Sequence, residues 1–290
     1  MSNQPGRLFV VATPIGNLDD ISPRAIEVLG SVDVILAEDT RHSAKLLSRF
    51  GIKTKVRAFH EHNEAQMNDS LIAELKNGLD VALISDAGTP LISDPGFHLV
   101  RSAHQHGVQV IPIPGPSAVL AALSASGLPT DRFIFEGFLP TRREARRRRL
   151  EALARAAETL VILESPHRIL AALADMVEIF GATRTGAIAK ELTKIFETVR
   201  MDTLSALHDW LGERAERQKG EFVILVSGAD NAGAESDAEA NRELLKTLLK
   251  EVPVKTAVRL AAAISGASRN SLYALALELS GDDEGGGRAS

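Results

Sequence analysis

Short β-branched runs alternate with amphipathic helical stretches over the first two-thirds of the chain, and this alternation restricts the fold more than any other feature. Arg7–Ala12 (RLFVVA), Asp33–Ala37 (DVILA), Val81–Ile84 (VALI) and Val108–Ile111 (VQVI) read as buried strands bounded by turn residues, with helical stretches such as Glu64–Lys76 between them. Strands that follow one another through helices pair in parallel, because a parallel neighbour needs a crossover long enough to return the chain. A second set follows: Phe133–Phe135, Thr159–Leu163, Ala187–Lys190, Ile195–Arg200 and Glu221–Val226, separated by helical patterns over Arg143–Ala157, His167–Phe180 and Thr203–Arg217. The expected fold class is α/β, with one α/β domain over residues 1–130 and a second over 131–228, joined at the Gly-Leu-Pro-Thr-Asp stretch around Leu128–Arg132. Residues 229–241 are acidic and small and read as a flexible linker. Apolar periodicity returns over 242–280, broken by Pro253 and Gly266, as in a small helical module of the helix-turn-helix kind, and 281–290 reads as a disordered Gly-rich tail.

Composition narrows the classes of function. The 290 residues match about two domains at roughly 150 residues each. With 44% hydrophobic and 24% charged residues the chain is not globally disordered. No apolar run reaches the roughly 18 residues of a membrane span, and Met1–Arg7 lacks the pattern of a secretory leader, so a cytoplasmic protein without membrane contact is expected. Zero Cys excludes disulfides, thiolate zinc sites and a cysteine nucleophile. A net charge of −5 excludes a uniformly basic nucleic-acid coat, so any such contact needs a local patch, and 4% aromatics argue against a multi-base stacking platform. No GxGxxG follows a strand, and GxxxxGK[ST], GxSxG and HExxH are absent.

Five segments carry candidate chemistry. Thr13-Pro14-Ile15-Gly16-Asn17 follows the first strand with Pro and Gly placed for a tight turn, where ligands bind outside the carboxyl ends of parallel strands. Ser85-Asp86-Ala87-Gly88-Thr89-Pro90, running on to Ser93-Asp94-Pro95-Gly96, combines carboxylates, hydroxyls and small residues that let a ligand approach the backbone. Asp86 precedes no helix and reads as a ligand contact, whereas Asp94 before Pro95 reads equally well as an N-cap. Pro112–Ala118 (PIPGPSA) ends a third strand and opens a helix whose first amides face a polar ligand, or are simply capped by Ser117. His60-Glu61-His62-Asn63-Glu64 mixes metal-ligand types, but no accessory ligands accompany it; Asn63 suits an N-cap, and no bound metal is expected. Arg142-Arg143-Glu144-Ala145-Arg146-Arg147-Arg148-Arg149 carries six Arg in eight positions, either a phosphate-gripping block for RNA or a solvated face paired to Glu151 and Glu158. Glu164-Ser165-Pro166-His167-Arg168 and Lys190-Glu191-Leu192-Thr193-Lys194 lie where they would extend that surface.

Taken in order, ATPIGNLDD, AEDTR, HEHNE, SDAGTPLISDPG, PGPSA, GFLP, ESPHR, KELTK and KGEF resemble the tetrapyrrole methylase-like family of S-adenosylmethionine-dependent methyltransferases. The matches span Leu8 to Val226, and the C-terminal helical module is also similar; Ala12 stands where a Pro is expected. The resemblance implies two α/β domains with S-adenosylmethionine in the cleft between them, a homodimer, and no Gly-rich loop of the GxGxG type. Within the family it is to the branch that 2′-O-methylates a cytidine in the decoding region of 16S ribosomal RNA, with the RNA inside the small ribosomal subunit. Carried over by residue, Pro14, Ile15, Asp86, Thr89, Ser117 and Ala118 would contact the cofactor from the first domain, and Leu163, Ala189 and Gly220 from the second.

Methyl transfer from a sulfonium needs alignment of oxygen, carbon and sulfur, and a base or cation for the hydroxyl, but no metal. Lys190 and Glu191 are the first catalytic candidates, and His60, His62 and Glu64 the second. Arg142, Arg143, Arg146, Arg147, Arg148, Arg149, His167 and Arg168 are the RNA-binding candidates. Three rival readings remain at this point. They are methylation of a tetrapyrrole-like small molecule, a non-catalytic RNA-binding assembly factor, and a metal-dependent phosphoesterase using His60, His62, Asp86 and Asp94.

Overall fold

The computed structural model describes residues 4–229 and 232–282, in two compact units, Met1–Gly228 and Ala229–Ser290. The first begins with β1 (Arg7–Val11), α1 (Pro23–Ser31), β2 (Val34–Ala37), α2 (Thr40–Arg49), β3 (Lys55–Ala58), α3 (Glu61–Lys76), β4 (Val81–Ile84), α4 (Phe97–Gln105), β5 (Gln109–Ile113) and α5 (Ala118–Ser126). Its five strands form one all-parallel sheet in the order β3-β2-β4-β1-β5. VILA of β2 and VALI of β4 are buried throughout, because helices cover both faces of a central parallel strand. Phe9, Val11, Ile35 and Ile84 pack toward one layer, and Leu8, Leu36, Leu71, Leu83 and Leu99 toward the other.

The same unit continues through β6 (Phe133–Phe138), α6 (Arg143–Leu153), β7 (Thr159–Glu164), α7 (Ile169–Phe180), β8 (Thr185–Lys190), β9 (Thr198–Thr203), α8 (Leu204–Gly212) and β10 (Phe222–Val226). This second sheet runs β6-β7-β10-β8-β9, with β6 and β7 parallel and the remaining pairs antiparallel. One face packs on α6–α8 through Leu150, Ile162, Met176, Leu207 and Ile224. The other face packs on α5, where Val119, Ala122 and Leu123 meet Val161, Ala187, Ala189, Val223 and Leu225. The division expected at residue 130 therefore separates the sheets but not the cores, since α5 precedes it in sequence and belongs to the second sheet by packing.

Three element readings change. Lys55–Ala58 is an edge strand that alternation did not reveal, since KVRA puts charged side chains at two of four positions. The strand expected at Ile195–Arg200 begins at Thr198, and Ile195 and Phe196 precede it in an exposed loop. Helix α3 starts at Glu61 rather than Glu64; His60 is its N-cap, and Asn63 at the third helical position accepts from the His60 amide at 2.8 Å.

The second unit contains α9 (Ala232–Leu249), α10 (Val254–Ser265) and α11 (Arg269–Asp282) around Leu245, Ala257, Val258, Ala261, Leu272 and Ala276. Residues 232–241, expected as linker, form the first half of α9. Ala and Glu favour helix without any large apolar residue. Pro253 is the N-cap of α10 and left-handed Gly266 its C-cap. Of the tail expected over 281–290, residues 283–290 lie outside the described residues, while 281 and 282 end α11. No helix among the described residues is long and apolar enough to cross a membrane.

Candidate functional site

Three loops at the carboxyl ends of β1, β4 and β5 form a mutually bonded rim. Thr13 and Gly88 exchange both backbone hydrogen bonds, at 2.8 and 3.0 Å, and the Thr13 hydroxyl donates to the Ser85 carbonyl at 3.1 Å. The Thr89 hydroxyl donates to the Pro116 carbonyl at 3.1 Å, tying the second loop to the third. Gly88 takes φ +82°, which only glycine adopts without strain. A Cβ at Gly115 would come within 3.0 Å of the Ala12 Cβ, so the small Ala12, where Pro was expected, faces the closest approach of the third loop.

The second sheet supplies the opposite wall. Leu163, Val223 and Ala189 are register neighbours across β7, β10 and β8, and all three line the same cavity. With Ile15, the Ala87–Thr89 backbone, Ser117, Ala118 and Phe138 they enclose about 330 Å³, a size suited to a small ligand. The walls are mainly aliphatic; the polar groups are Thr89, Ser93, Asp94, Ser117, Ser165 and two more carboxylates, Glu164 and Glu221. The first loop also touches the second half directly. Asn17 N–H donates to Thr193 Oγ1 at 3.0 Å, and a Cβ at Gly16 would lie 2.6 Å from Lys194 Cγ.

Most cofactor candidates meet here. Ile15, Thr89, Ser117, Ala118, Leu163 and Ala189 line this cavity, whereas Pro14 and Asp86 line an adjoining one of about 410 Å³ that shares Ile15, Ala87 and Glu221 with it. Ser117 also caps α5, accepting from the Leu120 amide, so both readings of that residue hold. Asp86 accepts from the Asp39 amide at 3.0 Å, fastening the β4 loop to the end of β2. Gly220 lines no described cavity: at φ +98° it makes room for Glu191, whose Cδ would lie 2.5 Å from a Cβ there. Its neighbours Glu221, Phe222 and Val223 line the cavity instead.

The catalytic candidates lie elsewhere. Since Ala189 faces the cavity, pleat alternation turns Lys190 to the other face, where its buried ammonium donates to the Glu216 carbonyl at 3.1 Å. Glu191 accepts from Lys194 Nζ at 2.9 Å and from the Glu221 amide at 3.0 Å. Burial pushes its pKa up, but these bonds outweigh it and leave the carboxyl below its ordinary range. Both residues thus hold a turn. Lys194 of the same turn reaches the wall of the 410 Å³ cavity, as Lys45 does, and bridges Glu191 and Glu221. Glu64 is committed to α4, accepting from the His98 and Leu99 amides at 3.0 and 3.2 Å. His60 and His62 make an edge contact at 6.0 Å, and no group of three metal-ligating side chains occurs among the described residues.

The arginine block is largely neutralised from within. Arg143, Arg146 and Arg147 converge on Asp175 of α7 at 3.1, 2.7 and 3.3 Å. Arg147 also pairs with Glu178, and Arg149 with Glu136 of β6. Arg146 and Asp175 are both buried, so this pair is part of the core rather than an open grip. Burial pushes the Asp175 carboxyl up, and hydrogen bonds from Arg146 and Arg143 reverse that, leaving it below its usual range. Arg168 clamps buried Glu164 through two 2.8 Å bonds and donates to the Leu139 carbonyl. Only Arg142, Arg148 and His167 of the proposed RNA contacts are exposed without an ion-pair partner among the described residues. The acids Asp175, Glu178 and Glu136, not the expected Glu151 and Glu158, do the pairing.

Asp94, equally readable as a cap, is not one. The N-cap of α4 is Gly96, and Asp94 instead stands in the cavity wall. Burial, with Glu38 and Asp86 nearby, pushes its carboxyl up to about 6 against a hydrogen bond from Ser85.

Residues 7–208 match the Tetrapyrrole (Corrin/Porphyrin) Methylases family, and residues 234–280 the RsmI C-terminal HTH domain. A Pseudomonas aeruginosa protein named ribosomal RNA small subunit methyltransferase I is 55% identical over 278 residues, 95% of this chain and 98% of its own. Its Vibrio cholerae namesake is 50% identical over 275 residues, 95% of this chain and 96% of its own. Among solved structures, Thermus thermophilus uroporphyrin-III C-methyltransferase complexed with S-adenosyl homocysteine superposes with a TM-score of 0.53 at 18% identity, covering 76% of this chain and 97% of that one. The chain therefore belongs to the tetrapyrrole methylase family, grouped by its closely similar full-length relatives with the ribosomal RNA small subunit methyltransferase I proteins.

Proposed function

We propose that this methyltransferase moves a methyl group from S-adenosylmethionine to the 2′-oxygen of a cytidine in the decoding region of 16S ribosomal RNA, within the small ribosomal subunit. The observation that carries the reading is the 330 Å³ cavity between the three-loop rim and the Leu163–Val223–Ala189 row. Its aliphatic walls suit the apolar body of the donor, and its hydroxyl and carboxylate groups suit the polar ends. When bound, the donor supplies its own activation through the sulfonium. The protein's part is to orient: the bonded rim fixes Ile15, the Ala87–Thr89 backbone, Ser117 and Ala118, so little freedom is lost on binding.

The full-length relatives carry the RNA assignment, because their names specify ribosomal RNA of the small subunit. The exposed Arg142, Arg148 and His167 are the part of the arginine surface left for phosphate contact. A homodimer, as the family resemblance implies, acting in the cytoplasm, as the sequence composition suggests, completes the proposal. Methylation of a tetrapyrrole-like small molecule does not account for the C-terminal helical module.

The test is methyl transfer from labelled S-adenosylmethionine to small subunits lacking the modification, followed by nucleoside analysis. Label in 2′-O-methylcytidine is expected. Label in a base or in protein, or none at all, overturns the reading.

A further inference from the structure

Three carboxylates line the donor cavity, and they differ in what neutralises them. Glu164 is clamped by Arg168, and Glu221 is bridged to Lys194 at 3.0 Å. Asp94 has no cation beside it among the described residues. Its charged neighbours are Glu38 at the end of β2 and Asp86 in its own loop, and Ser85 provides a hydrogen bond. Asp94 also lines a second cavity, of about 450 Å³, with Glu38, Glu61 and Glu64 and a single basic side chain, His98. His60, at the start of α3, acts on Glu38.

Among the described residues this acid caps no helix and forms no ion pair. The first amides of α4 are met by Glu64, so Asp94 is not needed as a cap. The loop nonetheless holds it in place with two non-glycine residues in the left-handed region, Leu91 at φ 73° and Ser93 at φ 69°. Such backbone persists where the surroundings enforce it, most often at ligand sites. Here the second sheet leans on the loop: a Cβ at Gly137 of β6 would lie 3.1 Å from Ser93 Oγ.

Resting on the S-adenosylmethionine reading above, we propose that Asp94 faces the sulfonium end of the donor and distinguishes it from the thioether product. In the transfer, the methyl carbon–sulfur bond breaks with its electron pair staying on sulfur, a carbon–oxygen bond forms to the acceptor hydroxyl, and that hydroxyl's proton passes to solvent. Sulfur goes from positive to neutral. A carboxylate held without a protein cation attracts the donor and loses that attraction once the methyl group has left, which favours product exit.

The consequence is a linkage between donor binding and protonation. A nearby cation stabilises ionised Asp94, so S-adenosylmethionine binds more tightly as pH rises through about 6 and then reaches a plateau. S-adenosylhomocysteine, without the sulfonium, shows little such dependence. Glu38, raised by burial and by Asp86, and His60 and His98 also face this region, so variants must isolate Asp94.

The experiment is calorimetry on the full-length protein with each compound between pH 5 and 8, using wild type, Asp94→Asn and Asp94→Glu. Asp94→Asn is expected to weaken S-adenosylmethionine about tenfold, to leave S-adenosylhomocysteine within about threefold, and to flatten the pH dependence. Asp94→Glu, which keeps the charge, is expected to retain the preference. Equal weakening of both compounds, or unchanged donor affinity in Asp94→Asn, overturns the proposal alone. A wild-type protein that binds neither compound removes the donor reading as well.

Discussion

Helix α6, with its run of arginines, and the loop from Ser85 to Gly96, whose two charged residues are both acids, meet opposite fates. On α6, Arg143, Arg146 and Arg147 share Asp175, and Arg149 has Glu136, so the cations are spent inside the fold. In the loop, Asp94 has Glu38 and Asp86 as its charged neighbours and forms no ion pair among the described residues. The larger run of charge is structural, and Asp94 of the smaller one is left without an ion pair among the described residues. Charge density along a sequence is therefore a poorer guide to a binding site than charge left unneutralised after folding.

The strongest way to break this comparison is to remove the acid under the arginines. Asp175→Asn is expected to cost about 3–5 kcal/mol in urea unfolding, because buried Arg146 loses its counter-charge. A loss below about 1 kcal/mol would return α6 to the surface. The acid limb sharpens the point. The Asp175 pKa is depressed on folding, so its stabilisation is full above the unfolded value, about 3.9, and disappears as pH falls through the lower folded value. Asp175→Asn is expected to lack that part of the acid-induced loss when unfolding is measured from pH 5 downward.

Next in size is the rim. Gly88→Ala places a side chain at φ +82°, costing about 1–2 kcal/mol, and is expected to weaken S-adenosylmethionine roughly tenfold in calorimetry. Unchanged affinity would mean that the Thr13–Gly88 bridge does not shape the pocket. The smallest effect belongs to the unpaired arginines. Arg142→Ala with Arg148→Ala is expected to lower the salt slope of RNA binding by about 0.7 for each single-strand phosphate that is no longer neutralised, leaving donor affinity and melting temperature unchanged. An unchanged slope would remove α6 from the RNA interface altogether.

Much of the frame was legible in the sequence, for physical reasons. VILA and VALI could only be strands buried on both faces, and the three small-residue loops after β1, β4 and β5 fell where a parallel sheet presents ligand sites. What escaped depended on distant residues. Lys55–Ala58 is an edge strand with little to bury, and Ile195 and Phe196, apolar enough to suggest a strand, lie exposed ahead of one. The arginine run does not reveal its partner locally, because Asp175 lies 29 residues beyond Arg146. A signal existed: Asp175 is a lone acid on the buried face of ILAALADMVEIF, and such an acid calls for a buried cation. Lys190 differs for a simpler reason, since accepting Ala189 as a cavity residue already assigns its neighbour to the opposite face.

Helix α5 begins at the rim with Ser117 and spends its length in the core of the second sheet. It acts as a strap: a scissor-like rotation of one sheet against the other would have to drag the Pro116–Ala118 corner along with it. Cutting the backbone between Leu128 and Arg132 should therefore leave two pieces that stay clasped and can be recombined from separate expression, with the amino-terminal piece unable to hide α5 by itself.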